Sequence, residues 1–376
     1  MTVLLAVHDG EPYLRQCIDS VLGQTFTDFE LLIVDDASTD GTVGTISSYK
    51  DDRIRLLRNE QNLGQVPSLN RGLREARGEL VARLDADDWC RPTRLERQVA
   101  LLDAESEVGL VGTWMEAVGE DGRRLGWLRE TLADFVDFVY HTLIMRVYVS
   151  HPSAMYRREP VLALDGYDEA TGPAEDKDLW RKLALERWDA RIVAEPLVVY
   201  RLHDNQLSQT RAAYQRDVDG RSQERFLGEL CPGAPLRAVR LLLAGDRAFW
   251  AEEHDPHETL EGVELVLAGA RERLRLDDAE ARRLEWLVAR RLLEVARARP
   301  WRPAARTITT SSLEGLPPGD RRRAVAAFAA SLLLAPARTA VERTTRWAAS
   351  RAERLRPPVK RSPLARRIYG KLVGSK

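Results

Sequence analysis

Cysteine is scarce: the 376 residues hold only Cys17, Cys90 and Cys231. They are far apart and form no Cys-x-x-Cys pair, which excludes a zinc ribbon and a disulfide framework and fits a reducing, cytoplasmic setting. An excess of either charge is also missing. Fifty-seven Lys and Arg stand against 58 Asp and Glu, a formal net charge of −1. Nothing therefore draws the whole chain to nucleic acid, and any electrostatic function must be local. No apolar run is long enough to span a bilayer; the longest, Ala324 to Ala335, is interrupted by Ser331 and stops at Pro336. The opening Met1 to Val7 carries neither a basic segment nor a cleavage site and is expected to be a first strand rather than a leader.

What is present is alternation. Over the first 200 residues short apolar runs alternate with amphipathic stretches, the pattern of a mostly parallel sheet with helices on both faces. Strands are expected at Val3 to Val7, Leu31 to Val34, Ile54 to Leu57, Leu80 to Leu84 and Val108 to Gly112. Leu14, Ile18, Val21 and Leu22 recur at helical spacing, as do Leu95, Val99 and Leu102 after Pro92. From about residue 205 helical patterns take over, at Leu236 to His254, Glu258 to Leu274 and Asp278 to Arg299. Three parts are expected: an α/β domain over 1–210, a helical C-terminal region over 211–335, and a basic amphipathic tail over 336–376. Beyond Pro336 the tail has twelve Lys or Arg against Glu342 and Glu353, so it suits an anionic membrane surface, an acidic partner or plain solvent.

In an open sheet of this kind ligands bind beyond the carboxyl ends of the strands, so the residues after each apolar run matter most. There stand His8-Asp9, then Asp35 to Thr42, then Asp85-Ala86-Asp87-Asp88. Three carboxylates in four positions repel one another and resist burial, which calls for a hard divalent cation with oxygen ligands; the alternative is a solvated acidic turn. Asp36 is placed to accept hydrogen bonds from a nucleotide, whereas Asp40 is read as a helix cap. A second constellation is Glu175-Asp176, with Leu179, Trp180 and Leu183 at i+3, i+4 and i+7 from Asp176. That spacing puts Asp176 on the buried face of a helix, as a cap or as a general base. In the third, Arg201 and His203 alternate along an extended segment, so they share a face and can meet a diphosphate or a metal together.

The ordered set resembles the family 2 glycosyltransferases, inverting enzymes of the GT-A fold that use nucleotide-diphospho-sugars. It comprises Tyr13-Leu14, Gln24 to Ser38, Asn62-Leu63-Gly64, Ala76 to Glu79, Leu84 to Asp88, His151-Pro152-Ser153 and Glu175-Asp176, spread over residues 2 to 210. The fold this implies is GT-A, Rossmann-like, followed by an α-helical region. By the same resemblance Asp176 is the catalytic base. Ala6, His8, Asp36, Arg77, Asp85 and Arg201 serve the donor, with Asp36 at the base and Asp88 supporting the turn. Asp85, Asp87 and His203 hold Mn2+ or Mg2+, and Trp114, His151, Glu175 and Trp180 lie toward the acceptor, unless the aromatics are ordinary core. The implied partners are a nucleotide-diphospho-sugar such as a UDP-sugar, and a sugar, lipid-linked or other hydroxyl acceptor of surface polysaccharide or glycolipid synthesis. No nucleic acid is implied, and the tail is a candidate peripheral membrane contact. The pattern departs from the family beside His8, where Ala6-Val7 replace the usual Pro, and the Gln-x-x-Arg-Trp of processive members is absent, which favours single-sugar addition. An Asp-x-Asp phosphotransferase and a non-catalytic sugar-nucleotide-binding module are the competing expectations.

Overall fold

The computed structural model describes residues 1–297 apart from 147–148, 204–205, 207–211, 247, 249–253 and 255. The expected tail over 336–376 and the run Ala324 to Ala335 lie outside the described residues.

Strands β1 (Thr2–Val7), β2 (Glu30–Asp35), β3 (Ile54–Arg58) and β4 (Leu80–Arg83) pair in parallel in the order β3-β2-β1-β4. Val3, Leu4, Leu5, Leu31, Leu32 and Ile33 are all fully buried, as strands covered on both faces must be, which is why they read as apolar runs without alternation. Helices α1 (Glu11–Leu22), α2 (Thr42–Ser47), α3 (Gln65–Glu75) and α4 (Arg94–Ala104) follow their strands. On α3 a Cβ at Gly72 would stand 2.3 Å from Leu4 Cδ1, so the helix approaches the sheet as closely as only glycine allows.

Beyond β4 the sheet becomes mixed. Its order continues through β8 (Met155–Arg157), β6 (Val108–Gly119), β9 (Asp189–Leu202) and β5 (Trp89–Cys90), with β7 (Arg124–Leu128) paired to β6. Only β6 and β9 run parallel in this half. Sequence periodicity marked just the last residues of β9, because Glu195 and Pro196 break the pattern midway. The ladder shifts register there, with Trp114 opposite Pro196, since proline has no N–H for the ladder. The two-residue β5 and three-residue β8 are too short for any period to register.

Helices α5 (Phe135–Leu143), α6 (Arg158–Ala163), α7 (Glu175–Leu185) and α8 (Ala212–Leu230) complete a first compact unit, Met1–Pro232 with Gly269–Leu276. The division differs from the expected boundary at residue 210, because α8 is bound to α7 by a buried polar seam. Arg181 pairs with Asp219 and donates to Gln223 at 2.7 Å and Ser222 at 3.0 Å, and Lys177 Nζ meets Asp219 at 2.6 Å. The second unit contains α9 (Leu236–Ala244) and α11 (Asp278–Arg297), where Arg291 Nε donates to Leu243 O at 2.9 Å; α10 spans Pro256–Arg273. Helices α10 and α11 follow the expected stretches to within a few residues, whereas α9 ends at Ala244, well short of the expected His254. Among the described residues no helix is long and apolar enough to cross a membrane.

The seam predicts an asymmetry. Asp219→Ala strands two cations at a buried position and should cost about 3–5 kcal/mol in urea unfolding. Asp217→Ala, which loses only an exposed partner of Arg221, should stay within about 0.5 kcal/mol. Equal midpoints for the two variants would show that the seam does not hold α8.

Candidate active site

Four strand ends and one helix start bring the candidate residues together. After β1 and β2 the loops are laced to each other. Asp9, in the left-handed region at φ 52°, accepts from the Thr39 N–H at 2.7 Å; Asp40 accepts from the N–H of Glu11 at 3.1 Å and of Thr42 at 2.9 Å; and Glu11 accepts from the Gly41 N–H at 3.1 Å. Asp40 thus serves the chain turns. His8 Nδ1 lies 2.8 Å from the Asp36 carbonyl oxygen, and Ala6 is half-buried in β1. Asp36 has both carboxylate oxygens engaged: Oδ1 accepts from Asn59 Nδ2 at 2.6 Å and Leu63 N at 2.9 Å, and Oδ2 from Gly64 N at 2.8 Å. Its first effect is therefore to pin the loop from Asn59 to Gly64 against the end of β2.

After β4 the carboxylates of Asp85, Asp87 and Asp88 have ligand atoms within 4.8 Å of one another. Each is oriented by a different element. Arg83, fully buried one pleat back on β4, pairs with Asp85. His203 Nε2 lies 2.9 Å from Asp87 Oδ2, and the backbone N–H of Arg201 donates to Asp88 Oδ1 at 2.9 Å. The second oxygen of Asp88 is buried with no hydrogen-bond partner. Burial, then the charges of Asp87 and Asp85, hold the Asp88 carboxyl well above the usual range. A trio this close, with a buried lone pair left over, suits a hard cation, so the donor set fits Mg2+ or Mn2+. Asp88, expected only to support the turn, belongs to the trio.

Arg201 is placed differently from expectation. Its guanidinium lies between the rings of Tyr13 and Trp89, 4.6 and 4.8 Å from their centroids, and donates to Asp87 O at 3.2 Å and Gln16 Oε1 at 2.6 Å. Through these contacts it clamps the acidic loop. Arg77 is not brought to the site at all. It is exposed just before β4, its N–H donating to Glu30 at the start of β2, which is the amino end of the sheet, opposite the acidic loop.

Helix α7 supplies the third group. Glu175, Asp176 and Asp178 fill its first turn, where the helix dipole favours negative charge. Asp176 is half-buried, accepts its neighbour Lys177's N–H at 2.8 Å, and is raised in pKa by burial against the opposing charge of Lys177. Glu175 is buried, and burial followed by the Asp176 charge pushes its carboxyl up to about 7. Its Oε2 has no partner, and its Oε1 lies 3.7 Å from His151 Nδ1. His151 Nε2 is 2.9 Å from the Tyr167 hydroxyl, itself 3.1 Å from that of Tyr156. Burial, then the Arg83 charge, holds His151 well below the ordinary histidine range, so this inner file is neutral. Trp180 is core: it is 1% exposed, and its indole N–H donates to Val149 O. Trp114 is half-buried, with its indole N–H on Glu130 O at 2.8 Å.

Sequence reasoning missed Arg83 and the pair Tyr156–Tyr167. Arg83 left a signal, a cation inside an apolar strand one residue before an acidic loop. The tyrosines left none, because they meet His151 only through the fold.

The chain is similar to known glycosyltransferases. The family model for glycosyl transferase family 2 matches residues 2–162. An uncharacterized glycosyltransferase of Methanocaldococcus jannaschii is 31% identical over 214 residues, covering 56% of this chain and 73% of that protein. The putative glycosyltransferase EpsE of Bacillus subtilis is 31% identical over 230 residues, covering 58% and 78%. Among solved structures, S. aureus TarS 1–349 in complex with UDP-GlcNAc superposes with a TM-score of 0.51 at 19% identity, over 88% of this chain and 90% of that one. The mixed sheet with its carboxyl-end acidic loop is a GT-A-type glycosyltransferase fold. This chain belongs to glycosyltransferase family 2, with relatives in polysaccharide biosynthesis. The matched segment stops before Asp176 and His203, so those two rest on the geometry above.

Glu175 carries a stability prediction. Its ordinary carboxyl value is 4.5 and its folded value about 7, so between those values the folded chain binds the proton that the unfolded chain has released. Stability contributed by this group is complete below about pH 4.5 and is lost as pH rises through about 7. Glu175→Gln should therefore unfold at higher urea than wild type at pH 8, with the gap closing by pH 4. A gap independent of pH would show that Glu175 titrates normally.

Proposed function

We propose that this enzyme transfers a sugar, with inversion, from a nucleotide-diphospho-sugar to an acceptor hydroxyl, using a divalent metal. The observation that carries this reading is the nearness of two acidic centres to the buried Arg83, which pairs with Asp85 of the trio and whose charge also reaches Glu175, the neighbour of Asp176. A leaving diphosphate and an attacking hydroxyl need these two acidic centres side by side. One centre binds the metal and the other takes the proton.

Asp85, Asp87 and Asp88 would hold Mg2+ or Mn2+, with His203 beside Asp87 as a further candidate ligand. Bound there, the ion supplies charge neutralisation for the departing diphosphate. The chain's own residues do the rest. Asp36 and the loop it fixes from Asn59 to Gly64 form the base end of the donor site with His8. Arg201 keeps the acidic loop in place through Tyr13 and Trp89. Asp176, raised by burial yet facing the Lys177 charge, accepts the proton of the acceptor hydroxyl as its oxygen attacks the anomeric carbon opposite the nucleotide. Glu175, its carboxyl pushed up to about 7 by burial and then by the Asp176 charge, stands beside this base. The relatives give the biological setting: WbnJ of Escherichia coli is an O-antigen biosynthesis glycosyltransferase and TuaG of Bacillus subtilis a putative teichuronic acid one. A surface polysaccharide or its lipid-linked precursor is the corresponding acceptor here.

Two substitutions separate the roles. General-base assistance is worth about 10²–10⁴-fold, so Asp176→Asn should lose that much turnover while calorimetry shows unchanged binding of a nucleotide sugar with Mn2+. Asp87→Ala should instead abolish the dependence of donor binding on metal. If Asp176→Asn keeps full rate with a donor and acceptor that wild type uses, the proton goes elsewhere.

A further inference from the structure

Among the described residues six large apolar side chains are exposed, and three of them, Leu125, Trp127 and Leu128, lie within four residues of β7, at 51%, 36% and 44% exposure. Strand β7 is the outer strand of a hairpin with β6, and every residue from Asp121 to Arg129 except Gly126 is exposed. Leu125 and Trp127 point to one side of the strand and Leu128 to the other. An edge strand in water normally keeps at least one side polar, so this one lacks a covering on either side. Arg123, Arg124 and Arg129 flank the apolar side chains, with no acidic residue between Asp121 and Glu130. None of the three arginines forms an ion pair with a carboxylate among the described residues. Instead Arg124 and Arg129 stack on Trp127, 5.3 and 5.0 Å from its centroid, and Arg129 stacks on Trp114 at 5.2 Å.

We propose that the β6–β7 hairpin seats the protein on an anionic lipid bilayer, Leu125, Trp127 and Leu128 entering the interface while Arg123, Arg124 and Arg129 meet the phosphates. Tryptophan bodies with adjacent arginines suit the boundary between headgroups and acyl chains, and leucines on both sides of the strand find a common apolar phase only there. A glycan would use one aromatic face surrounded by hydrogen-bonding side chains, which Leu125 and Leu128 do not provide. A second copy added edge to edge would set three arginines against three. The hairpin is also fastened to the site. Its turn residue Glu120 accepts the Tyr13 hydroxyl at 2.9 Å, and its carbonyl faces Arg201 Nη1 at 3.5 Å. Membrane seating thereby brings the acidic loop close to the bilayer surface, where a lipid-linked acceptor presents its head; that last consequence alone rests on the transferase reading.

The full chain is tested by co-sedimentation with vesicles of phosphatidylcholine, with and without phosphatidylglycerol, so no donor or acceptor enters the measurement. Leu125→Ser/Leu128→Ser and Arg124→Glu/Arg129→Glu should each weaken partition onto the mixed vesicles by about tenfold. Because the basic tail is present throughout, a second readout isolates the hairpin: lipids brominated on the acyl chain should quench wild-type tryptophan fluorescence more than that of Trp127→Phe. Unchanged partition in both double variants, or equal quenching in wild type and Trp127→Phe, overturns the proposal. So does a lipid-free dimer that Leu125→Ser/Leu128→Ser dissolves, or capture of a soluble anionic polysaccharide that Trp127→Phe abolishes without any effect of lipid.

Discussion

Mutual repulsion among Asp85, Asp87 and Asp88 is the constraint on which the rest of the site depends. Three carboxylates with ligand atoms within 4.8 Å stay together only because other parts of the chain hold each in place. Arg83 faces Asp85 from inside the sheet, His203 faces Asp87, and the backbone of Arg201 holds Asp88. Arg201 in turn needs Tyr13 from α1, Trp89 from β5 and Gln16 to fix its guanidinium. The acidic loop is thus a junction of β4, β5, β9 and α1, and the charge this junction concentrates suits a cation.

The second acidic centre is built on a different logic. At Asp85 the protein balances charge with charge, whereas around Glu175 it removes charge altogether. His151, Tyr167 and Tyr156 form a buried neutral file behind Glu175, and burial favours the uncharged form of each group. Asp176 sits one residue on, half-buried, near Lys177. Burial raises both carboxyls; at Glu175 the Asp176 charge adds to the rise, whereas at Asp176 the Lys177 charge opposes it. Arg83 connects the centres, its charge acting on both from a position that no solvent reaches.

The periphery follows the same economy of contacts. Helix α8 is bound to α7 by the Arg181–Asp219 seam, so α8 is part of what supports α7. The β6–β7 hairpin does the reverse: its turn is tied to Tyr13 and Arg201, while its outer strand is left apolar and cationic.

The sequence by itself determined the parallel half of the sheet, the acidic loops and their order, because continuous apolar runs between short polar turns have one economical solution and ligands lie at their carboxyl ends. Asp36, Asp85, Asp87 and His203 stood out as candidates for that reason, and Asp176 for its place at the start of an amphipathic helix. Which partners they meet was decided only in three dimensions. Asp36 turned out to fix a loop, Arg201 to clamp the acidic loop, Arg77 to stand at the far end of the sheet and Trp180 to be core. Asp88 joined the trio, and Glu175 acquired its neutral file. Each outcome depends on contacts between residues far apart in sequence, such as Arg201 with Asp88 and His151 with Glu175. Local periodicity records which way a side chain faces along its own element, and carries no information about what the opposing element presents to it.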